Sequence, residues 1–165
     1  SEHALLRVDE ILRSLSEAGA RFVLIGGLAA QVHGSPSLTG DVDICFATDG
    51  ANLHRLAGAL REMAAVRRGM PEGVASPIDE RALRAGDVFT LTTRFGDLDL
   101  LAHPDPRLDF DQLELGAMTT EIMGRVVLVA GLDDLMAMKR AAGRPKDLIE
   151  LEVLGALREE IDRRG

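Results

Sequence analysis

A short apolar run, Phe22-Val-Leu-Ile25, stops at Gly26-Gly27, and after 13 intervening residues Asp41-Val-Asp-Ile-Cys-Phe46 alternates with period two. In an extended strand that alternation puts Val42, Ile44 and Phe46 on one face and Asp41, Asp43 and Cys45 on the other. The first segment is apolar throughout and has the length of a buried strand, whereas the second must bury one face and present acids on its opposite face. Two strands of this kind need a sheet, and the sheet needs helices to cover it.

The flanking sequence supplies them. Leu5, Val8, Ile11, Leu12 and Leu15 recur at helical spacing before a stop at Gly19. Leu28 to His33 reads as a brief helix closed by Gly34-Ser35-Pro36, and Asn52 to Met63 as a helix with Leu53, Leu56 and Leu60 on one side. Residues 67–82, broken by Gly69, Pro71, Gly73 and Pro77, read as a loop. Val88–Arg94 and Leu98–Leu101 read as a hairpin turning at Gly96-Asp97, since glycine suits the first central position of a type II′ turn. A short helix is expected near Asp109–Leu115, a strand at Val126–Ala130, and helices at Leu132–Ala142 and Lys146–Ile161. Strands that alternate with helices, then a hairpin, then helices, predict an α+β or mixed α/β fold. Its small mixed sheet is flanked by helices and followed by C-terminal ones. Without a repeat, low-complexity tract or long linker, residues 1–165 read as a single domain.

Composition narrows the function classes. Lys plus Arg number 19 against 27 Asp plus Glu, a formal net charge of −8, which disfavours broad attraction to nucleic acid or anionic membrane. Aromatic residues make up 3%, with no Trp and no Tyr, too few for a platform that stacks single-stranded bases. Cys45 is the only cysteine, so no disulfide framework exists. No apolar run reaches about 18 residues and no signal-peptide core is present, so a cytoplasmic protein without a membrane association is expected.

The chemistry concentrates at residues 26–43. Two glycines at a strand-to-helix turn let main chain approach a ligand, and free N–H groups at a helix start favour phosphate. Asp41 and Asp43 stand about 6.6 Å apart along one strand face. Their carboxylates can converge on one hard cation, and Mg²⁺ suits them because it takes oxygen ligands together with substrate phosphates. Without a cation or a proton such a pair repels. A second Asp-x-Asp, Asp109-Phe-Asp111, has an ordinary explanation, because Asp109 and Gln112 are spaced as a helix cap. Lys139, Arg140, Arg144 and Lys146 form a local basic patch suited to phosphate, and they also sit where cations favour a helix C-terminus. His33 lies near the glycine turn and Cys45 on the acidic face; both read as structural. Neither a P-loop nor a Gly-x-Gly-x-x-Gly signature occurs.

This arrangement, Gly26-Gly27 followed by Asp41-Val-Asp43, resembles the nucleotidyltransferase superfamily, of which DNA polymerase β is the best-known fold member. Gly-Gly-x-Ala, His-Gly-x-Pro and Thr-x-Asp-x-Asp-Ile, together with Leu135-Met-Ala-Met-Lys-Arg-Ala-Ala-Gly-Arg-Pro-Lys-Asp147, are most similar to small bacterial minimal nucleotidyltransferases and AbiEii-type toxins. The resemblance spans most of residues 20–155. It implies transfer of a nucleoside monophosphate from a triphosphate such as ATP to an acceptor hydroxyl, with pyrophosphate leaving and two Mg²⁺ ions assisting. Asp41 and Asp43 would be metal ligands, with a third acid on a neighbouring strand, Asp97 or Asp99. Gly26, Gly27, Thr39, Lys139 and Arg144 would hold the nucleotide. Turn chemistry selects Asp99 as the third catalytic acid, because a hairpin turn at Gly96-Asp97 explains Asp97, whereas Asp99 lies within an apolar run.

Three positions depart from the family pattern. Gly27 replaces a serine that many members direct at the triphosphate, Ser37 stands where related chains often carry Arg, and little sequence remains for a separate acceptor domain. The acceptor is left open between a small molecule, a protein side chain and a tRNA end. The competing expectation is a catalytically silent nucleotide-binding protein, or one partner of a toxin–antitoxin pair, on the same fold.

Overall fold

The computed structural model describes residues 5–165 apart from Glu72 and Ala75. Helix α1 (Val8–Glu17) leads into strand β1 (Phe22–Ile25), helix α2 (Gly26–Val32), strand β2 (Asp41–Phe46) and helix α3 (Gly50–Glu62). Then come β3 (Val66–Arg67), α4 (Glu80–Ala85), β4 (Val88–Thr93), β5 (Gly96–Leu101) and α5 (Phe110–Gly116). The chain finishes with β6 (Met118–Ile122), β7 (Arg125–Val129), α6 (Leu132–Ala142) and α7 (Pro145–Arg164). The result is a mixed α/β fold with two C-terminal helices, as the order of elements in the sequence implies.

The seven strands form one mixed sheet in the order β3-β4-β5-β2-β1-β7-β6. The two strands that carry the opening motif are antiparallel neighbours near its centre, while β5 joins β2 in parallel. Every residue of β1 is buried, and Val42, Ile44 and Phe46 are at most 1% exposed. Ile11, Leu12 and Leu15 of α1 and Leu53, Leu56 and Leu60 of α3 enter the same core. Leu5 does not belong to α1, which begins at Val8, and it is exposed.

Other differences from the sequence reading have local causes. The stretch read as a loop overlaps the end of the two-residue strand β3 on one side and the first residues of α4 on the other; its Glu72 and Ala75 lie outside the described residues. Helix α4 buries only Leu83, too little for a visible period, yet Asp79 caps it by accepting the Ala82 N–H at 2.8 Å. Strand β6 pairs only with β7, so it borders the sheet, and its Met-Thr-Thr-Glu-Ile sequence has no fully buried residue. The hairpin turns at Arg94-Phe95, two residues before the expected place. Thr93 pairs with Gly96, whose φ of 112° follows the turn instead of forming its centre. Asp97 is therefore a strand residue, half-buried and paired in register with Thr92 and Asp41.

One buried side chain ties the far ends of β1 and β2. Asn52 is 0% exposed; its Nδ2 donates to the carbonyls of Arg21 (3.0 Å) and Ala47 (2.7 Å), and its Oδ1 accepts the Arg21 N–H (2.6 Å). Asn52→Leu would leave the Arg21 N–H and the Ala47 carbonyl without these partners, while the Arg21 carbonyl keeps the Ala47 N–H, so a stability loss of about 3 kcal/mol is expected in urea unfolding. A loss below about 1 kcal/mol would contradict the clamp.

Candidate active site

The acids are placed by strand register. Asp43 lies opposite Asp99 in the parallel β2–β5 ladder, and Asp41 opposite Asp97. Asp41, Asp43 and Asp99 each offer a carboxylate oxygen, and these oxygens lie within 4.8 Å of one another. The three acids expected from the sequence thus meet at one point.

The glycine turn serves these acids in a way the sequence did not reveal. Gly26 has a φ of 71°, and a Cβ there would sit 2.0 Å from Asp43 Oδ2. The turn must leave β1 in a left-handed conformation while passing over a carboxylate, and only glycine meets both demands. A Cβ on Gly27 would come within 2.8 Å of the Thr39 Cβ. The two glycines are thus required by Asp43 and Thr39, and Gly27 also lines the cleft over the acids. Thr39 spends its hydroxyl locally, donating to the Asp41 carbonyl at 3.0 Å and so fixing the start of β2.

Crowding raises the proton affinity of the cluster. Burial, then Asp41 and Asp99, push the Asp43 carboxyl up to about 8. Burial also pushes Asp99 up, with Arg68 pulling the other way. Arg68 is the residue that sequence reasoning missed. Its Nη2 donates to Asp99 Oδ1 at 2.6 Å and to the Leu91 carbonyl at 2.8 Å. Asp99 is thus not the unpaired carboxylate its apolar neighbours suggested. Arg68 lies in a polar stretch with no periodicity, and only its main-chain hydrogen bond to Thr90 at the end of β3 marks its place.

A cleft of about 510 Å³ opens over the acids, with Gly27, Thr39, Asp41, Asp43 and Asp99 on one wall and Lys139, Arg144 and Lys146 on the other. Arg140 lies outside it, beside a separate hollow with Arg107. Two of the cations are already engaged. Asp147 is 1% exposed on its side chain and meets Arg144 Nε at 2.5 Å and Lys139 Nζ at 3.6 Å. The Arg144 guanidinium holds the Asp147 carboxyl below the usual range. Asp147 also accepts the Arg144 N–H at 3.2 Å, capping α7. Arg-Pro-Lys-Asp is therefore a helix-start device as well as a source of charge.

The remaining candidates are structural, as read. His33 Nε2 meets the Ala130 carbonyl at 2.8 Å. Cys45 is buried, and burial pushes its thiol up to about 12. Asp109 accepts the Gln112 N–H at 2.9 Å and caps α5.

The donor set is all oxygen, clustered, and carries a proton at neutral pH that a divalent cation can replace. It fits a hard metal ion. By sequence the chain matches no family profile and no curated protein. In structure it is similar to ANT(2")-Ia in complex with adenylyl-2"-tobramycin, at 16% identity and a TM-score of 0.56, over 95% of each chain. The lincosamide antibiotic adenylyltransferase LnuA, lincomycin-bound, is similar at 13% identity and a TM-score of 0.59, over 92% of this chain and 98% of the other. An antigenic nucleotidyltransferase-like protein from Paracoccidioides brasiliensis aligns at 17% identity and a TM-score of 0.57, over 90% of this chain and 77% of the other. The fold is that of nucleotidyltransferases.

Two measurements check this geometry. Gly26→Ala is expected to cost about 1–3 kcal/mol, as a non-glycine residue held at positive φ against a carboxylate; an unchanged urea midpoint would refute the close approach. In EDTA, native Asp43 keeps a proton that the unfolded chain releases near its ordinary pKa of about 3.9. Stability should therefore fall as pH rises from about 5 through about 8. Asp43→Asn should flatten that fall in thermal melts, and equal slopes for both proteins would show that Asp43 is not the titrating group.

Proposed function

We propose that this protein is a metal-dependent nucleotidyltransferase that moves a nucleoside monophosphate from a nucleoside triphosphate to an acceptor hydroxyl. The observation that carries the reading is the meeting of Asp41, Asp43 and Asp99 on one wall of a cleft whose other wall holds Lys139, Arg144 and Lys146. In the transfer, the acceptor oxygen forms a bond to the α-phosphorus while the bond from that phosphorus to the β-bridging oxygen breaks. Pyrophosphate carries away the electron pair, and the acceptor's proton passes to solvent.

Asp41, Asp43 and Asp99 would hold Mg²⁺, two ions on the family's pattern. When bound, the ions neutralise the triphosphate and make the acceptor hydroxyl more acidic. Asp43 loses its proton on loading, since a cation outweighs the two neighbouring acids. Lys139, Arg144 and Lys146 face the departing phosphates and balance the charge that develops on them. Gly26 makes room for the Asp43 carboxylate and Gly27 for Thr39, which fixes the strand from which Asp41 projects. The structural similarity to ANT(2")-Ia and LnuA, solved with adenylyl-2"-tobramycin and with lincomycin, favours a small hydroxylated molecule as acceptor over a protein or a tRNA, and ATP as donor. The likeness to small bacterial toxin-type members rests on the sequence motifs alone.

The alternative, a silent nucleotide-binding protein or toxin–antitoxin partner, draws its support from the ion pairs that already occupy Asp99, Lys139 and Arg144. Incubation with labelled ATP, CTP, GTP or UTP, Mg²⁺ and a panel of hydroxylated small molecules separates the two. Pyrophosphate release with a labelled acceptor is expected from the wild type. Asp43→Asn and Asp99→Asn should each lose it by several orders of magnitude, whereas Asp97→Asn should stay within about tenfold, or about 1.4 kcal/mol. Nucleotide binding without pyrophosphate release across the panel would favour the silent protein.

A further inference from the structure

Asp97 and Asp99 share one strand face two residues apart, yet only Asp99 joins the acid cluster. The difference lies in what surrounds them. Asp97 Oδ1 accepts from the Thr92 hydroxyl at 3.2 Å, and its Oδ2 lies 3.3 Å from Arg68 Nε. Arg68 then reaches past Asp97, with Nη2 on Asp99 Oδ1 at 2.6 Å and on the Leu91 carbonyl at 2.8 Å. Thr92, Leu91, Asp97 and Asp99 all belong to the β4–β5 hairpin, whereas Arg68 arrives from the end of β3. One guanidinium is therefore hydrogen-bonded to the hairpin at the Leu91 carbonyl, set against Asp97 by charge, and bonded to the third acid of the cluster through the same nitrogen that meets Leu91. The Arg68 and Asp99 side chains are 28% and 19% exposed, so the contact is partly shielded from water.

We propose that Arg68 is a positioning residue. Clamped by Asp97 and the Leu91 carbonyl, it fixes one oxygen of Asp99 and so orients the carboxylate toward Asp43 and the metal. This inference rests on the reading of Asp41, Asp43 and Asp99 as metal ligands, and it adds a role for two residues outside that set. The physical reason is directional. A free carboxylate on a strand rotates about its side-chain torsions, and a cluster of three acids drives each away from the others. A planar fork that bonds one oxygen stops that rotation, at the cost of placing a positive charge close to a cation site. Lysine, a point charge on a flexible stem, cannot bridge both acids and the carbonyl at once.

The test uses Mn²⁺ alone as the probe, titrated calorimetrically into the full chain, with circular dichroism to show that each variant is folded. Wild type is expected to bind. Arg68→Leu and Arg68→Lys should each weaken Mn²⁺ by about tenfold or more, although they remove or keep the charge respectively. Asp97→Asn should weaken it by about threefold in the wild-type background and leave it unchanged in the Arg68→Leu background, because its effect passes through Arg68. Additive losses would mean that Asp97 acts by its own charge and would overturn the clamp. Tighter binding by Arg68→Leu would overturn it too, by showing that Arg68 competes with the ion for Asp99. Unchanged Mn²⁺ affinity in both Arg68 variants leaves the metal centre standing and removes Arg68 from it. No binding by wild type removes the metal centre and the inference together. Should Arg68→Leu fail to fold, the comparison of Arg68→Lys with and without Asp97→Asn decides on the same criterion.

Discussion

Carboxylates at contact distance repel, and this fold fixes three of them within 4.8 Å of one another by backbone register. Asp43 and Asp99 cannot separate without shifting the parallel β2–β5 ladder, whose apolar alternate positions, Val42, Ile44, Leu98 and Leu100, are fully buried. The hydrophobic faces of two strands thus hold the acidic faces together against their own charge. Much of the neighbouring structure is an answer to that conflict. Asp43 retains a proton near neutrality, Arg68 neutralises Asp99, and Gly26 withdraws its side chain so that the Asp43 carboxylate has somewhere to lie.

The parts of this arrangement that follow from periodicity were legible in the sequence. Alternation in Asp41–Phe46 gave the strand and its acidic face, and the apolar run before Gly26 gave its buried neighbour. Helix α6 was read to its residue bounds because Gly143 stops it in a left-handed conformation and Leu132 and Leu135 mark its buried face. The third acid was found by an argument that was only half sound. Asp99 does join the cluster, but the turn that was meant to excuse Asp97 lies at Arg94-Phe95, and Asp97 is excused by Arg68 instead.

What remained hidden is pairing across long separations. Nothing near Arg68 announces a partner 31 residues away, and polar sequence without a period carries no register. The buried Asp147 was hidden for a related reason. In Arg144-Pro-Lys-Asp147 the eye sees charge, whereas the chain uses the segment to start a helix and to bury one carboxylate between two cations. Edge strand β6, polar and solvent-facing, shows neither alternation nor an apolar run.

These ion pairs give the cleft a character that the net charge of −8 does not convey. Along one wall run Asp41, Asp43 and Asp99 from the sheet; along the other stand Lys139 from α6, Arg144 from the turn that follows it and Lys146 from the start of α7. With Asp43 protonated, and with Asp147 and Glu150 set among the cations, the charges of the cleft come close to balance. Such a cleft does not attract a bare anion or a bare cation strongly, because each meets the opposing wall at short range. On the proposed reading it would complement a ligand that is itself a dipole of matching sense, with a metal ion at one end and phosphate oxygens at the other. Binding such a ligand would, on that reading, replace the Asp43 proton with the ion and offer the Asp147-bound cations a second anion. The pre-existing pairs would, on the same reading, hold the charged side chains in place until the ligand arrives.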